Sequence, residues 1–351
     1  MGLNYAVGLP TVGEFGDVRR LVGMGVAAER SGWDGVHLWD HLLYHDPSWP
    51  VTNSVVAASA IAAATERVRI ILTIVLPRRQ VQDVAQETLA LDELSGGRLT
   101  VVPIIGSVDR EFSDFGLDAD MRARGRALDE RLAGLKELWA AWGGRQIPIW
   151  CGGLWPNRAG LRRAARFDGA MPIYQHQRER NVSIDEFRAT VAFVRGEMAG
   201  RGSADATVEG RGEIASQGGA DPTAKGRGEM ASQGGTASAA EGRGEMAGER
   251  GTEATALSRG RIAERGGADA TAEWRGEMAG LGSAGTGRGS SQPNMFDFVL
   301  EGATEAATAA DQTAAYSAAG LTWWIEALGY WRGGVAFAGK RISHGPVDSG
   351  S

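Results

Sequence analysis

The run Ile70-Ile71-Leu72-Thr73-Ile74-Val75-Leu76 is apolar on both faces, and such a strand is stable only when other structure covers each side of it. It overlaps a strand-length apolar run at 68–75. Seven further runs of strand length fall at 4–8, 35–39, 99–104, 148–151, 169–172, 295–300 and 322–326, and helical patterns separate most of them. Strands that alternate with helices pair in parallel, with helices on the outside. The helix before the fourth strand stops at Ser95-Gly96-Gly97, where glycine supplies a left-handed cap.

One region does not fit this alternation. Arg-Gly-Glu-Met or a close variant begins at Arg195, Arg211, Arg227, Arg243, Arg259 and Arg275, every 16 residues. Large apolar side chains come only once or twice per repeat there, too few for the continuous seam of a stacked solenoid. They also cannot offset roughly 1–2 kcal/mol of backbone entropy per ordered residue. The reading is a disordered tandem repeat over 199–290. It extends a surface loop after a helix from Ser183 to Met198, whose Ser183 and Glu186 form a capping box. Without it about 260 of the 351 residues remain, close to the roughly 250 of an eight-stranded α/β barrel. The expected fold is therefore α/β, a (β/α)8 TIM barrel made of 1–198 and 291–346, with a long low-complexity insertion before strand seven and a tail over 347–351. A doubly wound open sheet is the alternative. Its glycine fingerprint is absent, because Gly8-Leu9-Pro10-Thr11-Val12-Gly13 lacks the required spacing.

Charge and cysteine content narrow the function. A net charge of −6 with both signs scattered gives no basic stripe, so no nucleic-acid partner is expected. No stretch approaches the roughly 18 apolar residues of a membrane span, the amino terminus lacks a signal-peptide pattern, and Cys151 is the lone cysteine. These features lead to the expectation of a cytoplasmic protein with no membrane partner. His37, His41 and His45 are four apart but sit on a strand and its loop rather than a helix, so no metal site is expected. Gly334 to Lys340 imitates a phosphate loop, but Arg341 replaces the magnesium-binding hydroxyl residue and no strand precedes it.

The chemistry gathers at strand ends. Gly32-Trp33-Asp34-Gly35-Val36-His37-Leu38-Trp39-Asp40-His41 is a short apolar strand ending in an aromatic, a carboxylate and an imidazole, at the end where parallel α/β proteins bind ligands. The same barrel mouth would collect Thr73 from strand three, Gly106 after strand four, Gly152 and Gly153 after strand five, and Glu326 from strand eight.

Several segments together resemble the luciferase-like, flavin-dependent oxidoreductases, a barrel superfamily using FMN or the deazaflavin coenzyme F-420. They are Gly32 to His41, Ala63 to Arg69, Leu76-Pro77-Arg78-Arg79 with Leu94 to Leu99, Asp109-Arg110-Glu111-Phe112 with Phe115-Gly116, Pro148 to Gly153, Asp168-Gly169 and Ala319 to Glu326. The resemblance implies hydride transfer or monooxygenation of a small organic substrate at a reduced ring in the barrel mouth, and often a homodimer, for which Trp139, Trp142 and Trp155 are candidate interface residues or core. It places a histidine of an Asp-His pair, here His41, near the reactive ring face as acid, base or donor; Asp40 is read as orienting His41 or a nearby backbone group. Holding a loop is the plainer role for His41. The resemblance also implies a cis peptide at Thr73-Ile74 pressing on the ring.

Gly152 and Gly153, followed by Pro156, Asn157 and Arg158, suit a phosphate cradle of backbone amides and a guanidinium, or simply a tight strand-to-helix turn. Glu326 either faces the cofactor or pairs with an arginine. Two departures from the resemblance leave a second class open, a catalytically impaired barrel acting as a binding or scaffold protein with a flexible repeat tether. Val101-Val102-Pro103-Ile104-Ile105-Gly106 stands where relatives carry a Gly-x-Gly-like stretch and would narrow the ring slot. The link from Trp139 to Pro148 is short where relatives insert a longer excursion.

Overall fold

The computed structural model describes residues 2–143, 146–214, 296–304 and 309–346. Its strands are β1 (Asn4–Leu9), β2 (Gly35–Leu38), β3 (Arg69–Val75), β4 (Leu99–Ile104), β5 (Trp150–Trp155), β6 (Gly169–Tyr174), β7 (Asp297–Gly302) and β8 (Trp323–Ala327). They form one parallel sheet in the order β4-β3-β2-β1-β8-β7-β6-β5. A parallel bridge from Val101 to Ile149 brings its two ends together. The result is the expected (β/α)8 barrel.

Helices follow the strands: α1 (Val18–Arg30), α2 (Ser54–Ala64), α3 (Val81–Leu94), α4 (Arg110–Ser113), α5 (Met121–Trp142), α6 (Arg158–Ala164), α7 (Ile184–Ile214), α8 (Ala309–Ala318) and α9 (Gly334–Ser343). Their starts are written locally. Asp17, Asn53 and Asp120 accept amide hydrogen bonds from Arg20, Val56 and Ala123, satisfying donors that a helix end leaves free. Ser183 and Glu186 exchange the two bonds of a capping box. Gly96 and Gly97 sit at φ +65° and +85° after α3. The expected end of α7 at Met198 is corrected, since the helix runs on to Ile214 through a full repeat. Extending an existing helix avoids the nucleation cost of starting one. The repeat beyond Ile214 and the tail at 347–351 lie outside the described residues. Among the described residues no helix is long and apolar enough to cross a membrane, and no cluster of metal-ligating side chains forms.

The strand period of two separates two cores. Outward side chains such as Val36, Ile70, Leu72, Phe298 and Trp324 pack beneath the helices, while Ala6, Ile71, Val102, Trp150, Met171, Val299, Trp323 and Ile325 fill the barrel interior. The candidate interface tryptophans separate accordingly. Trp139 is core, donating to Thr88 Oγ1 at 2.9 Å, Trp155 packs on Phe193, and Trp142 is exposed.

Candidate active site

Inward-facing residues towards the carboxyl ends of β2 to β8, where Cβ atoms two positions apart return to the same face, line one cavity of about 360 Å³, within the usual range for small-molecule sites. His37 and Trp39 come from β2 and its end, Thr73 and Val75 from β3, Val102 and Ile104 from β4, Gly152 and Leu154 from β5, Met171 and Ile173 from β6, Glu301 from β7 and Ala327 from β8. Asp40, His41, Gln177, Arg178 and Trp331 complete the rim. His41 and Gly152 thus share one hollow.

The Val102-Pro103-Ile104 run does not close that hollow. Val102 and Ile104 form its wall, and Gly152 beside them on β5 makes room, because a Cβ there would lie 2.8 Å from Ile104 Cγ2. The bulk added on β4 is matched by the missing side chain on β5.

A buried chain of charges anchors the rim. Arg78 reaches Asp40 Oδ1 at 2.7 Å with one nitrogen and Glu111 Oε2 at 2.6 Å with the other. Glu111 Oε1 takes His41 Nδ1 at 3.0 Å and the Leu42 amide at 2.7 Å. Asp40 Oδ2 accepts the Val75 amide at 2.8 Å. Glu111, rather than Asp40, therefore orients His41, while Asp40 ties the end of β2 to β3. Burial pushes the Glu111 carboxyl up, but the hydrogen bond from His41 and the charge of Arg78 outweigh it and hold the group below the ordinary carboxylate value. Trp39 stacks on Trp331 with centroids 5.7 Å apart, and the Arg178 guanidinium lies 5.3 Å and 5.0 Å from those two rings.

Six expected site residues lie elsewhere. Glu326 is turned outward and fully buried, paired with Arg332 at 2.6 Å and receiving Thr304 Oγ1 at 2.7 Å, so of its two readings the structure has the arginine partner. Strand β5 runs on to Trp155, which puts Gly152 and Gly153 inside the strand rather than after it. Gly153 faces outward, where a Cβ would meet the Gly160 Cα at 3.0 Å, and its glycine serves strand-to-helix packing. Asn157 caps α6 with its backbone only, Arg158 lies over the Phe193 ring, and neither lines the cavity. Gly106, at φ +83°, packs on Val75 and Phe112 beneath the rim. Ile74 is in the outer core. The Thr73-Ile74 peptide is not cis; the cis bond among the described residues is Trp155-Pro156. Thr73 and Ile74 instead continue the β3–β4 ladder opposite Val102 and Pro103.

Two cavity groups escaped the sequence reading. His37 is 2% exposed, its Nε2 lies 2.8 Å from Thr73 Oγ1, and its Nδ1 has no hydrogen-bond partner. Burial lowers its pKa to about 4. Glu301 is raised to about 7 by burial, against the pull of Arg178. These shifts act oppositely on stability. Between pH 4 and 6.5 the unfolded chain protonates His37 and the fold does not, so stability from His37 rises with pH. Glu301 contributes fully below its ordinary 4.5 and loses that contribution as pH rises through 7. Each slope is about 1.4 kcal/mol per pH unit, so over the shared window they cancel. Relative to the parent, His37→Asn should lose about 2–3 kcal/mol of stability as pH rises across that window, and Glu301→Gln should gain as much. Urea unfolding at stepped pH checks this, and parallel curves for all three chains would refute it.

A barrel with a half-apolar hollow at its carboxyl end, an anchored imidazole and a stacked indole defines a mouth-site α/β-barrel protein. The luciferase-like monooxygenase family model matches residues 6–322, and the chain belongs to that family. Two solved structures agree in fold. An F-420-dependent secondary alcohol dehydrogenase in complex with an F-420-acetone adduct matches at TM-score 0.50 and 18% identity, over 57% of this chain and 66% of that one. The long-chain alkane monooxygenase LadA matches at 0.50 and 14%, over 57% and 62%. EDTA monooxygenase (EmoA) from Chelativorans sp. BNC1 matches at 0.48 and 16%, over 57% and 59%. The chain thus spans less than two thirds of the length of each.

Proposed function

We propose that the protein is a flavin- or deazaflavin-dependent oxidoreductase that transfers hydride to, or monooxygenates, a small organic substrate in the barrel mouth. The observation that carries this reading is the single hollow shared by Trp39, His41, Thr73 and Gly152. A planar ring suits it. Val75, Val102, Ile104 and Met171 give apolar walls, Gly152 leaves the backbone bare, and His37 Nδ1 offers an unmet polar atom. The anionic tail of FMN or F-420 would be held by Arg178 and Gln177 at the rim, in place of the cradle expected at Asn157 and Arg158. Such a ring, when bound, supplies two-electron chemistry as hydride transfer or, for the flavin, oxygen activation.

The chain's own groups do the rest. His41, fixed by Glu111 through Nδ1, presents its remaining nitrogen as a proton donor or acceptor. Trp39 forms a stacking wall, and the apolar side chains keep water away from the reacting atoms. We further propose a reducing, cytoplasmic setting, which the buried lone thiol of Cys151 suits, and a homodimer in which exposed Trp142 is a contact.

The lost phosphate cradle favours one rival, a barrel retained as a binding protein. Cofactor titration separates the two. FMN or F-420 fluorescence should be quenched at micromolar protein for the enzyme, and binding of neither would favour the rival.

A further inference from the structure

A second pocket adjoins the hollow at its rim. Gln177 and Arg178, in the segment after β6, line the hollow and also line a pocket of about 250 Å³, which Arg180, Gln312 and Arg332 help to enclose. Asn181 ties this segment to the end of β7 by exchanging two hydrogen bonds with the Ala303 backbone. A tail that leaves the hollow beside Arg178 therefore meets this pocket first.

The pocket carries more positive charge than its surroundings neutralise. Arg332 and Arg341 share one carboxylate, Glu326, at 2.6 Å and 3.6 Å, and none of the three is more than 16% exposed. Arg341 Nε is buried with no partner among the described residues. Arg178 has no ion pair among those residues, since two indole faces and the Tyr44 hydroxyl hold it. Arg180 reaches Glu186 only at 3.8 Å, where both are exposed. Glu179, the one carboxylate among the lining residues, is 79% exposed and lies against His176. Buried guanidinium in excess is costly unless an anion answers it.

The neutral groups agree with the charged ones. Gln177 accepts the Tyr174 amide at 2.8 Å through its side-chain oxygen, which leaves its NH2 end for a ligand. Gln312 keeps one buried amide end without a partner among the described residues. A half-turn exchanges the two ends of an amide, so N–H groups can face the pocket there. Guanidinium forks joined by amide donors are a donor set for phosphate oxygens. We infer that this pocket, with Arg180, Gln312 and Arg332 as its walls, seats the phosphate group on the tail of the ligand bound in the hollow. The inference rests on the proposed oxidoreductase reading, whose cofactors both carry such a group, and it assigns that group to the loops after β6, β7 and β8 rather than to the turn after β5.

The test compares FMN with riboflavin, and F-420 with its tail-free deazaflavin chromophore, by fluorescence titration of the full chain. In at least one pair the phosphate-bearing ligand should bind about tenfold tighter or more than its partner. Saturating inorganic phosphate should erase that advantage without weakening the partner. Arg180→Gln should shrink the advantage, and Gln312→Glu, which sets a carboxylate in the pocket, should abolish it; both should bind the phosphate-free ligand as the parent does. Arg158→Gln, at the turn after β5, should leave the advantage intact. Equal affinities within both pairs overturn the inference, as does an advantage that Arg158→Gln removes while Arg180→Gln and Gln312→Glu spare it. If no ring binds, the oxidoreductase reading fails, and inorganic phosphate alone judges the pocket. Its phosphorus NMR line should then broaden with the parent chain and not with Gln312→Glu, and no broadening with the parent, or equal broadening with both, overturns the pocket.

Discussion

Replacing Arg78 by methionine should destabilise the barrel by about 3–5 kcal/mol at neutral pH, the largest stability loss expected for a single substitution at this site. Arg78 is 3% exposed, and its two carboxylate partners, Asp40 and Glu111, are 9% and 0% exposed. Methionine fills much the same volume but leaves two anions buried without a counter-charge. Each would keep some donors, Asp40 the Val75 amide and Glu111 the Leu42 amide, which limits the loss without cancelling it. The deficit should shrink in acid, where protonated carboxyls no longer need the guanidinium. Arg78→Lys should fall between, because an ammonium keeps the charge but cannot span both carboxylates in one plane. Urea unfolding of the three chains checks the series, and a loss under about 1 kcal/mol for methionine would mean that the chain of charges contributes no more than a surface pair.

The second large effect concerns the hollow itself. Gly152→Ala brings a methyl to within 2.8 Å of Ile104 Cγ2, so either the β4 wall shifts or the methyl's neighbours move into the space for the ring. Overpacking of this kind costs about 1–3 kcal/mol, and as the methyl is pressed back by the seated ring the same amount is roughly a 5- to 150-fold loss in cofactor affinity. Trimming the partner should undo it. Ile104→Ala together with Gly152→Ala restores the gap from the other side and should bind cofactor nearly as the parent does. A destabilised fold would show the same loss in both chains, so the double variant separates a filled hollow from a damaged barrel.

These expectations also mark which parts of the molecule were legible in its sequence. The eight strands were, because each is an apolar run bounded by turn residues, and β3 shows burial on both faces without reference to anything distant. Trp39, Asp40, His41 and Thr73 were legible as groups towards strand ends for the same reason. What escaped depends on pairings far along the chain. Glu111 meets His41 across 70 positions, and nothing local to either residue announces it. Glu301 stands just past the apolar run at 295–300, and its inward face is fixed only by its register opposite Ile325 of β8. That same register turns Glu326 outward. Asn157 and Arg158 were misplaced because β5 continues through Gly152-Gly153-Leu154-Trp155, polar-poor but glycine-rich, where glycine reads as the end of a strand. The helical extension of α7 escaped because composition argues against a stable isolated helix but not against continuation of one already formed.

The most direct measurement is the fluorescence titration of FMN and F-420 with the parent chain, Gly152→Ala and the Gly152→Ala/Ile104→Ala pair. The expected result is quenching at micromolar parent protein, at least a fivefold weakening in the single variant, and recovery in the double. Unquenched fluorescence with both cofactors, or equal affinity in all three chains, would contradict a ring seated between Trp39 and Gly152.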